Sequence, residues 1–203
     1  MVLNDKQIIA AEIFNPTVET CVREVGGRKV VSYGTGSYGY DLRLGSKFLR
    51  PKVLNLDTAS GCLMTDALGI LDVREVLDDE YEEASPVEWN GGLAYLIPPH
   101  GFVLGVSRER ITMPPDVTGV CYAKSTYARV GLVMGITPLE AGWSGYLTIE
   151  ISNTTDKFVP VYVDEGICQV ILFKGEPCAV PYNERVGGGK YDGQPEKPVL
   201  PKV

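Results

Sequence analysis

Residues 124–129, KSTYAR, bring together a cation, two hydroxyl groups and a guanidinium. Ser125 and Thr126 are of the types that cap helix N-termini, where free N–H groups attract an anion. Arg129 follows Ser125 by four residues, so a helix would place both on one face. Backbone amides, hydroxyls, Lys124 and a forked Arg could then hold a phosphate together. The alternative is a capped surface helix whose Arg129 pairs with an exposed acid.

Glu150 is the second candidate for chemistry. It lies in residues 145–152, GYLTIEIS, where apolar and polar residues alternate with the period of a half-buried strand. Glu150 therefore shares a face with Thr148. A carboxylate in mid-strand between β-branched residues is often partly removed from water, which raises its pKa toward the range of a useful general base. The alternative is a solvent-facing strand residue.

The segments KSTYAR, TPLEAGWSG and LTIEISNTT resemble the dCTP deaminase family, a branch of the trimeric dUTPase superfamily. Further matches lie at residues 30–43 (VVSYGTGSYGYDLR), 165–173 (EGICQVILF) and 181–194 (PYNERVGGGKYDGQ). Matches dispersed along the chain in the expected order are more specific than any single motif. Two features depart from the family: Gly36 stands where relatives have Ser, and the region 57–92 is longer than in many members.

The resemblance implies an enzyme, a hydrolase acting on the C–N bond of a cyclic amidine. It would convert dCTP to dUTP and ammonia without zinc, and so supply dUTP for dUMP and dTTP synthesis. Glu150 would be the catalytic base, while Ser125 and Arg129 would hold the water and orient the carboxylate. The resemblance also implies a homotrimer with sites between subunits, and dTTP as a feedback inhibitor.

The nucleotide-binding residues implied by the resemblance fall into three groups. Lys124 and Thr126 would contact phosphates, Glu140 would accept a hydrogen bond from the 3′-hydroxyl, and Thr148 and Ile149 would lie under the base. The full set is Lys124, Ser125, Thr126, Tyr127, Ala128, Arg129, Glu140, Thr148, Ile149, Glu150, Gln169, Tyr182, Lys190 and Gln194. The alternative without a binding role is that Glu140 lies in a surface turn. In the same way, Gln169, Tyr182, Lys190 and Gln194 would be ordinary strand or tail residues. Mg²⁺ is expected as a partner of the substrate triphosphate.

Two other functions remain open. A bifunctional dCTP deaminase and dUTP pyrophosphatase would proceed to dUMP. In the family that the chain resembles, however, bifunctional members have a longer segment in place of residues 136–142. The tail of this chain reads GGGKYDGQ, whereas dedicated dUTPases have a Phe-containing motif there. A non-catalytic nucleotide sensor would be expected to lose Glu150, Ser125 or Arg129. All three are present.

Composition narrows the class of protein. With 203 residues and 44% hydrophobic content the chain suffices for one packed domain, and we expect a single domain over residues 1–203. The net charge of −7 argues against a nucleic-acid polymer as partner. No apolar run is long enough to span a bilayer, so no membrane is expected. The five cysteines are never spaced C-x-x-C, which predicts reduced thiols in the cytoplasm.

Histidine and cysteine content also bears on metal chemistry. Zinc-dependent cytidine deaminases need a His or Cys beside a Glu and a later C-x-x-C. His100 is the only histidine, in a Pro-Pro-His-Gly turn, and Cys178 has no second thiol at the required spacing. We therefore predict neither a zinc site nor a role for His100 as base.

The predicted fold is mainly β, a dUTPase-like distorted β-barrel or jelly roll. A short helix is predicted within residues 4–14, ended by Asn15-Pro16, and a second at the nucleotide site. Gly34-Thr-Gly-Ser-Tyr-Gly39 has the form G-x-G-x-x-G, but an alternating strand pattern follows it, which excludes a dinucleotide fold. Strands are predicted in the sequences LAYLI, FVLGVSR, VTGVCYA, FVPVYV, ICQVILF and CAVPY. Residues 51–92, with their acidic run, read as a solvated loop, and residues 183–203 as a mobile tail.

Overall fold

The fold was analysed in a computed structural model, which describes residues 1–52, 71, 73–74, 78–135 and 137–202. Two helices, α1 (Asp5–Ala10) and α2 (Ser125–Ala128), accompany strands throughout these ranges. The strands are β1 (Phe14–Asn15), β2 (Val22–Val25), β3 (Arg28–Gly36), β4 (Gly39–Arg43), β5 (Phe48–Pro51), β6 (Tyr81–Ala84), β7 (Val87–Trp89), β8 (Gly92–Ile97), β9 (Phe102–Thr112), β10 (Val117–Ala123), β11 (Leu132–Met134), β12 (Pro138–Leu139), β13 (Ser144–Asn153), β14 (Val159–Tyr162) and β15 (Gly166–Lys174). Tight 3₁₀ turns occur at Asp78–Glu80 and Tyr182–Glu184.

Antiparallel pairing organises these strands into three sheets. One has the order β11-β13-β9-β5-β6, with β1 also on β9; the second has the order β12-β10-β15-β4-β3-β2; a small third sheet is β14-β8-β7. One cluster of buried side chains joins both large sheets, from Leu42 on β4 to Ile151 on β13. The mainly β prediction is therefore confirmed.

The predicted N-terminal helix is present but shorter than expected. Asn4 caps it through a reciprocal pair of hydrogen bonds with Gln7. The helix ends at Ala10 instead of reaching the Asn15-Pro16 boundary. The reason is that Phe14 already pairs as a strand with Ile111 of β9, so the intervening residues must turn.

The glycine-rich segment forms a strand hairpin, as the alternation after it predicted. Gly36 on β3 faces Gly39 on β4 across the turn, and no helix follows. Gly34 adopts a φ of +94°, and a Cβ there would lie 2.4 Å from the carbonyl oxygen of Thr20. The dinucleotide reading is thus excluded by the structure as well.

Two predictions in the poorly patterned regions are wrong. Residues 81–84, placed in a solvated loop, form β6 and pair with β5. The sequence CAVPY at 178–182 is not a strand, because Pro181 cannot donate to a ladder and Val180 is exposed. Much of the long 57–92 region lies outside the described residues. Within the described part of the chain, no helix is long and apolar enough to cross a membrane.

A buried ion pair ties the two large sheets together. Glu109 of β9 is fully buried and accepts hydrogen bonds from Arg43 Nε at 2.7 Å and from the Arg43 backbone amide at 2.9 Å. Burial raises the pKa of Glu109, and the bonds from Arg43 oppose that rise. Arg43 Nη2 is itself buried with no partner among the described residues, so this pair has little redundancy.

We therefore expect Glu109→Gln to lower the free energy of unfolding by about 3 kcal/mol or more, because it leaves a buried guanidinium without its counter-charge. The matched control is Glu82→Gln, which breaks an exposed pair with Arg50 and should cost less than about 1 kcal/mol. Urea unfolding of both variants measures the difference. Equal losses would contradict this account of the pair.

Candidate functional site

A cavity of about 410 Å³ opens beside β13. Its walls come mainly from β9, β12, β13 and the C-terminal segment, by which we mean residues 182–202. The lining residues are Tyr81, Phe102, Leu104, Thr137, Pro138, Leu139, Glu140, Trp143, Leu147, Thr148, Glu150, Tyr182, Tyr191, Gln194, Val199 and Pro201. Five of these belong to the predicted nucleotide-binding set: Glu140, Thr148, Glu150, Tyr182 and Gln194. The cavity is mostly apolar, with a few polar groups that converge on it, which is typical of a small-molecule site.

Glu150 is half-buried on β13, opposite Leu104 of β9. Removal from water raises the pKa of its carboxyl, as the strand pattern predicted, while its own backbone amide opposes the rise. A Cβ on Gly135 would lie 2.7 Å from Glu150 Oε2, so the carboxylate fits against this residue only because it is glycine. No side chain within the described ranges donates a hydrogen bond to Glu150.

The alternation along β13 is less regular than the sequence suggests. Ile149 is buried as predicted, but Thr148 on the cavity side is also buried, with 7% of its surface exposed. Its hydroxyl accepts a hydrogen bond from the backbone amide of Val199 at 3.1 Å. The pairing with β9 is interrupted between Tyr146 and Thr148. Both faces of this strand are therefore covered, one by the core and one by the C-terminal segment.

The C-terminal segment lies along β13 and closes the cavity. Gln194 forms a parallel bridge with Gly145, and its carbonyl accepts from the Tyr146 amide at 3.1 Å. The indole of Trp143 donates to the Tyr191 carbonyl at 2.7 Å. A Cβ on Gly145 would lie 2.7 Å from the Gln194 nitrogen, so glycine permits this close approach. The mobility predicted for residues 183–203 stays a prediction, since these contacts describe one arrangement.

Glu140 pairs with a residue that sequence reasoning missed. Arg185 Nη1 lies 3.2 Å from Glu140 Oε1, and Nη2 contacts the other carboxylate oxygen. The guanidinium carbon also lies 4.8 Å from the centre of the Tyr182 ring. The one available signal was a cation three residues after Tyr182 within the PYNER segment. Glu140 thus forms an exposed ion pair at the edge of the cavity, and its binding role stays a prediction.

Residues 124–129 form the predicted short helix but not the predicted cap. The N-cap is Lys124, and it makes no side-chain capping bond. Ser125 and Thr126 lie inside the helix, whereas a capping side chain must precede the first helical residue. Tyr127 is buried, and its hydroxyl accepts from the Tyr162 amide at 3.2 Å.

The remaining side chains of this helix face outward. Ser125, Thr126, Ala128 and Arg129 are exposed, and Arg129 makes no ion pair within the described part of the chain. The alternative of an Arg129 paired with a surface acid is therefore not what the structure shows. Thr126 lines a second, open hollow together with residues that include Arg28. Across the described residues, none from 124–129 lines the cavity around Glu150.

Three further predicted contacts lie away from that cavity. Lys124 Nζ bonds to Asp41 Oδ2 at 2.5 Å and to Ser32 Oγ at 3.2 Å. Gln169 is exposed on β15, opposite Asp41 of β4. Lys190 is exposed on the C-terminal segment. Apart from Ile149 and Lys190, the predicted site residues thus divide, within one chain, into a cavity group and a group around α2 and β15.

His100 is the loop residue that its turn predicted. Its Nε2 lies 2.8 Å from Asp156 Oδ1 on the exposed surface, away from the cavity. Among the residues that the structure describes, no three His, Cys, Asp or Glu side chains are grouped so as to hold a metal ion. The expected independence from zinc stays a prediction.

Known proteins are similar in sequence to most of this chain. The sequence model of the dCTP deaminase-like family matches residues 18–175. A dCTP deaminase of Campylobacter fetus subsp. fetus (strain 82-40) is 37% identical over 201 residues, covering 98% of this chain and 97% of the relative. A dCTP deaminase of Acidovorax sp. (strain JS42) is 41% identical over 175 residues, covering 85% and 82%.

The fold has a counterpart among solved structures. The crystal structure of 2′-deoxycytidine 5′-triphosphate deaminase from Agrobacterium tumefaciens matches with a TM-score of 0.52 at 19% identity, over 86% of this chain and 48% of that chain. At this identity the likeness concerns the fold alone, and it agrees with the mainly β architecture of this chain. With a family match over most of its length and relatives of nearly its own size, the chain belongs to the dCTP deaminase-like family.

Proposed function

We propose that this protein hydrolyses dCTP to dUTP and ammonia without zinc. The relatives named dCTP deaminase support the substrate and the class of reaction. The observation that carries the proposal for this chain is Glu150, a half-buried carboxyl with a raised pKa that lines a cavity of about 410 Å³. Burial raises the pKa of this carboxyl toward the range in which one group can both accept and return a proton, as an acid–base catalyst must.

The reaction needs one group that carries a proton in both halves. In the first half Glu150 takes a proton from water, the hydroxide oxygen bonds to C4 of cytosine, and the proton passes to N3. In the second half Glu150 takes the proton of the new C4 hydroxyl and gives it to the amino group. The C4–N bond then breaks, ammonia leaves, and Glu150 returns to its ionised form.

We infer a homotrimer with composite sites. Ser125 and Arg129 are assigned to holding the water and orienting the carboxylate of Glu150. In one chain they are exposed at α2. The described lining of the cavity around Glu150 includes none of residues 124–129. A second copy can supply these side chains to the cavity of the first, which makes the catalytic set complete only in the assembly.

Glu140 is assigned to the deoxyribose 3′-hydroxyl. Both of its oxygens contact Arg185, yet a carboxylate oxygen has two acceptor positions and can accept from a hydroxyl as well. Thr148 lies at the cavity wall, and Ile149 follows it on β13 with its side chain in the core. Both are assigned to the place under the base. Engagement of Glu140 by a guanidinium also disfavours a second role for it as base toward water at the α-phosphorus. We therefore favour an enzyme that stops at dUTP.

The triphosphate is assigned to a separate set of groups: Lys124, Thr126, Gln169, Tyr182, Lys190 and Gln194. Mg²⁺ arrives as part of this substrate, bound to the phosphate oxygens. dTTP is proposed to inhibit from the same pocket, which requires different affinities for two arrangements of the protein. The free thiols of Cys21, Cys121, Cys168 and Cys178 support a reducing compartment, and the cytoplasm remains the expected location.

Glu150→Gln should lower kcat for dCTP deamination by at least about 100-fold, because the amide keeps the shape of the side chain but cannot accept the proton of water. The affinity for dCTP should stay within about threefold of the wild type, since the amide keeps the shape of the side chain and can still form hydrogen bonds to the nucleotide. Glu88→Gln, an exposed glutamate on β7, is the matched control and should keep full activity. Ammonia release and dCTP titration measure both quantities. Near-wild-type turnover of Glu150→Gln would remove it from the mechanism.

The second prediction concerns the product. Phosphorus NMR of a completed reaction with dCTP should show the three resonances of a nucleoside triphosphate, with ammonia released in equal amount, because Glu140 is engaged by Arg185. If pyrophosphate and dUMP appear in stoichiometric amounts instead, the enzyme is bifunctional and Glu140 has a further role. A parallel reaction started from dUTP should leave that nucleotide unchanged.

A further inference from the structure

The carboxylate of Asp41 has no role in the function proposed above. Asp41 lies on β4, and 12% of its side chain is exposed. Its Oδ2 accepts a hydrogen bond from Lys124 Nζ at 2.5 Å, and Lys124 also donates to Ser32 Oγ at 3.2 Å. Asp41 Oδ1 is buried and has no hydrogen-bond partner among the described residues. A buried carboxylate in this state depends on the single cation beside it.

The surrounding strands hold this pair in place. β4 lies between β15 and β3, so Asp41 has Gln169 on one side and Gly34 on the other. A Cβ on Gly166 of β15 would lie 1.9 Å from the Ser32 carbonyl oxygen and 3.2 Å from Lys124 Cδ. The Lys124 side chain therefore runs through a narrow passage that leads its ammonium to Asp41.

The same hairpin also supports the neighbouring Gln169. A Cβ on Gly39 would lie 3.4 Å from Gln169 Cγ, so the exposed amide of Gln169 rests over this glycine. Gln169 and Lys124, both assigned to the triphosphate, thus contact the β3–β4 hairpin. Gln169 packs over Gly39, and Lys124 bonds to Asp41.

We propose that Asp41 is a positioning residue for the triphosphate, acting through Lys124; this rests on the proposed assignment of Lys124 to the phosphates. An ammonium has three N–H donors. Asp41 and Ser32 take two of them, which fixes the direction of the third. The side chain of Lys124 is 11% exposed, and among the described residues its ammonium bonds only to Asp41 and Ser32, which leaves one donor for a phosphate oxygen. Asp41 in this role fixes the position of the cation and does not itself touch the substrate.

The test compares nucleotides that differ only in phosphate. Asp41→Asn should weaken binding of dCTP about tenfold, while binding of deoxycytidine, which has no phosphate, should change by less than about twofold. KM for dCTP should rise with little change in kcat, since the groups at the base are untouched. The matched control is Asp116→Asn, which removes the partner of Lys174 at 2.9 Å on the same sheet. That variant should leave the affinities for both ligands unchanged.

The outcomes separate this inference from the proposed function. If wild-type protein does not bind dCTP, or if Lys124→Met weakens dCTP and deoxycytidine equally, the assignment of Lys124 fails. If Lys124→Met weakens dCTP alone but Asp41→Asn does not, or if Asp41→Asn weakens both ligands equally, Asp41 has a structural role and the inference is overturned. Thermal unfolding checks each variant. Should Asp41→Asn not fold, Ser32→Ala decides: a loss of about threefold in dCTP affinity alone supports positioning through Lys124, and no selective loss overturns it.

Discussion

The partial removal of Glu150 from water is the constraint on which the rest of the site depends. The carboxyl lies at mid-strand because β13 is paired on both sides, with β9 and β11, and the glycine at 135 leaves room for its oxygen. The C-terminal segment covers the same face of the strand through Val199 and Gln194. Burial raises the pKa of Glu150, and among the described residues no cationic side chain pairs with it. A salt bridge like that of Glu109 would instead oppose the rise and occupy the oxygens needed for water.

The second constraint is which surface each proposed catalytic side chain faces. Glu150 faces the cavity on the β11-β13-β9 sheet, whereas α2 follows β10 of the other large sheet and presents Ser125 and Arg129 to solvent. One chain therefore separates the proposed acid–base group from its proposed orienting partners, and among the described residues Arg129 has no acidic partner. The proposed assembly would bring these two surfaces together. This division explains why Glu150 and residues 124–129, each taken alone, could also be interpreted as a strand residue and a surface helix without catalytic roles.

Local sequence patterns predicted the strand and the helix that carry the candidate residues. They could not predict side-chain pairs between residues far apart in the sequence. The alternation around Glu150 and the spacing in KSTYAR gave a strand and a short helix where the structure has them. The capping assignment was wrong by one residue, because composition shows which residues can cap but not where the first helical residue falls. Arg185 lies 45 residues from Glu140, and Asp41 lies 83 residues from Lys124. Such pairs depend on strand order, which no local period encodes. Thr148 lies on the polar face of the alternating pattern, and the segment that buries it comes from the end of the chain.

Subunit mixing tests the central claim most directly. Glu150→Gln and Arg129→Ala are each expected to be inactive, and equal amounts are unfolded, mixed and refolded together. If Glu150 of one subunit works with Arg129 of another, random assembly restores about a quarter of the sites, and deaminase activity returns to about a quarter of the refolded wild type. If both residues act within one chain, every site in the mixture lacks one of them. Activity that stays at the level of the separate variants would contradict the composite site.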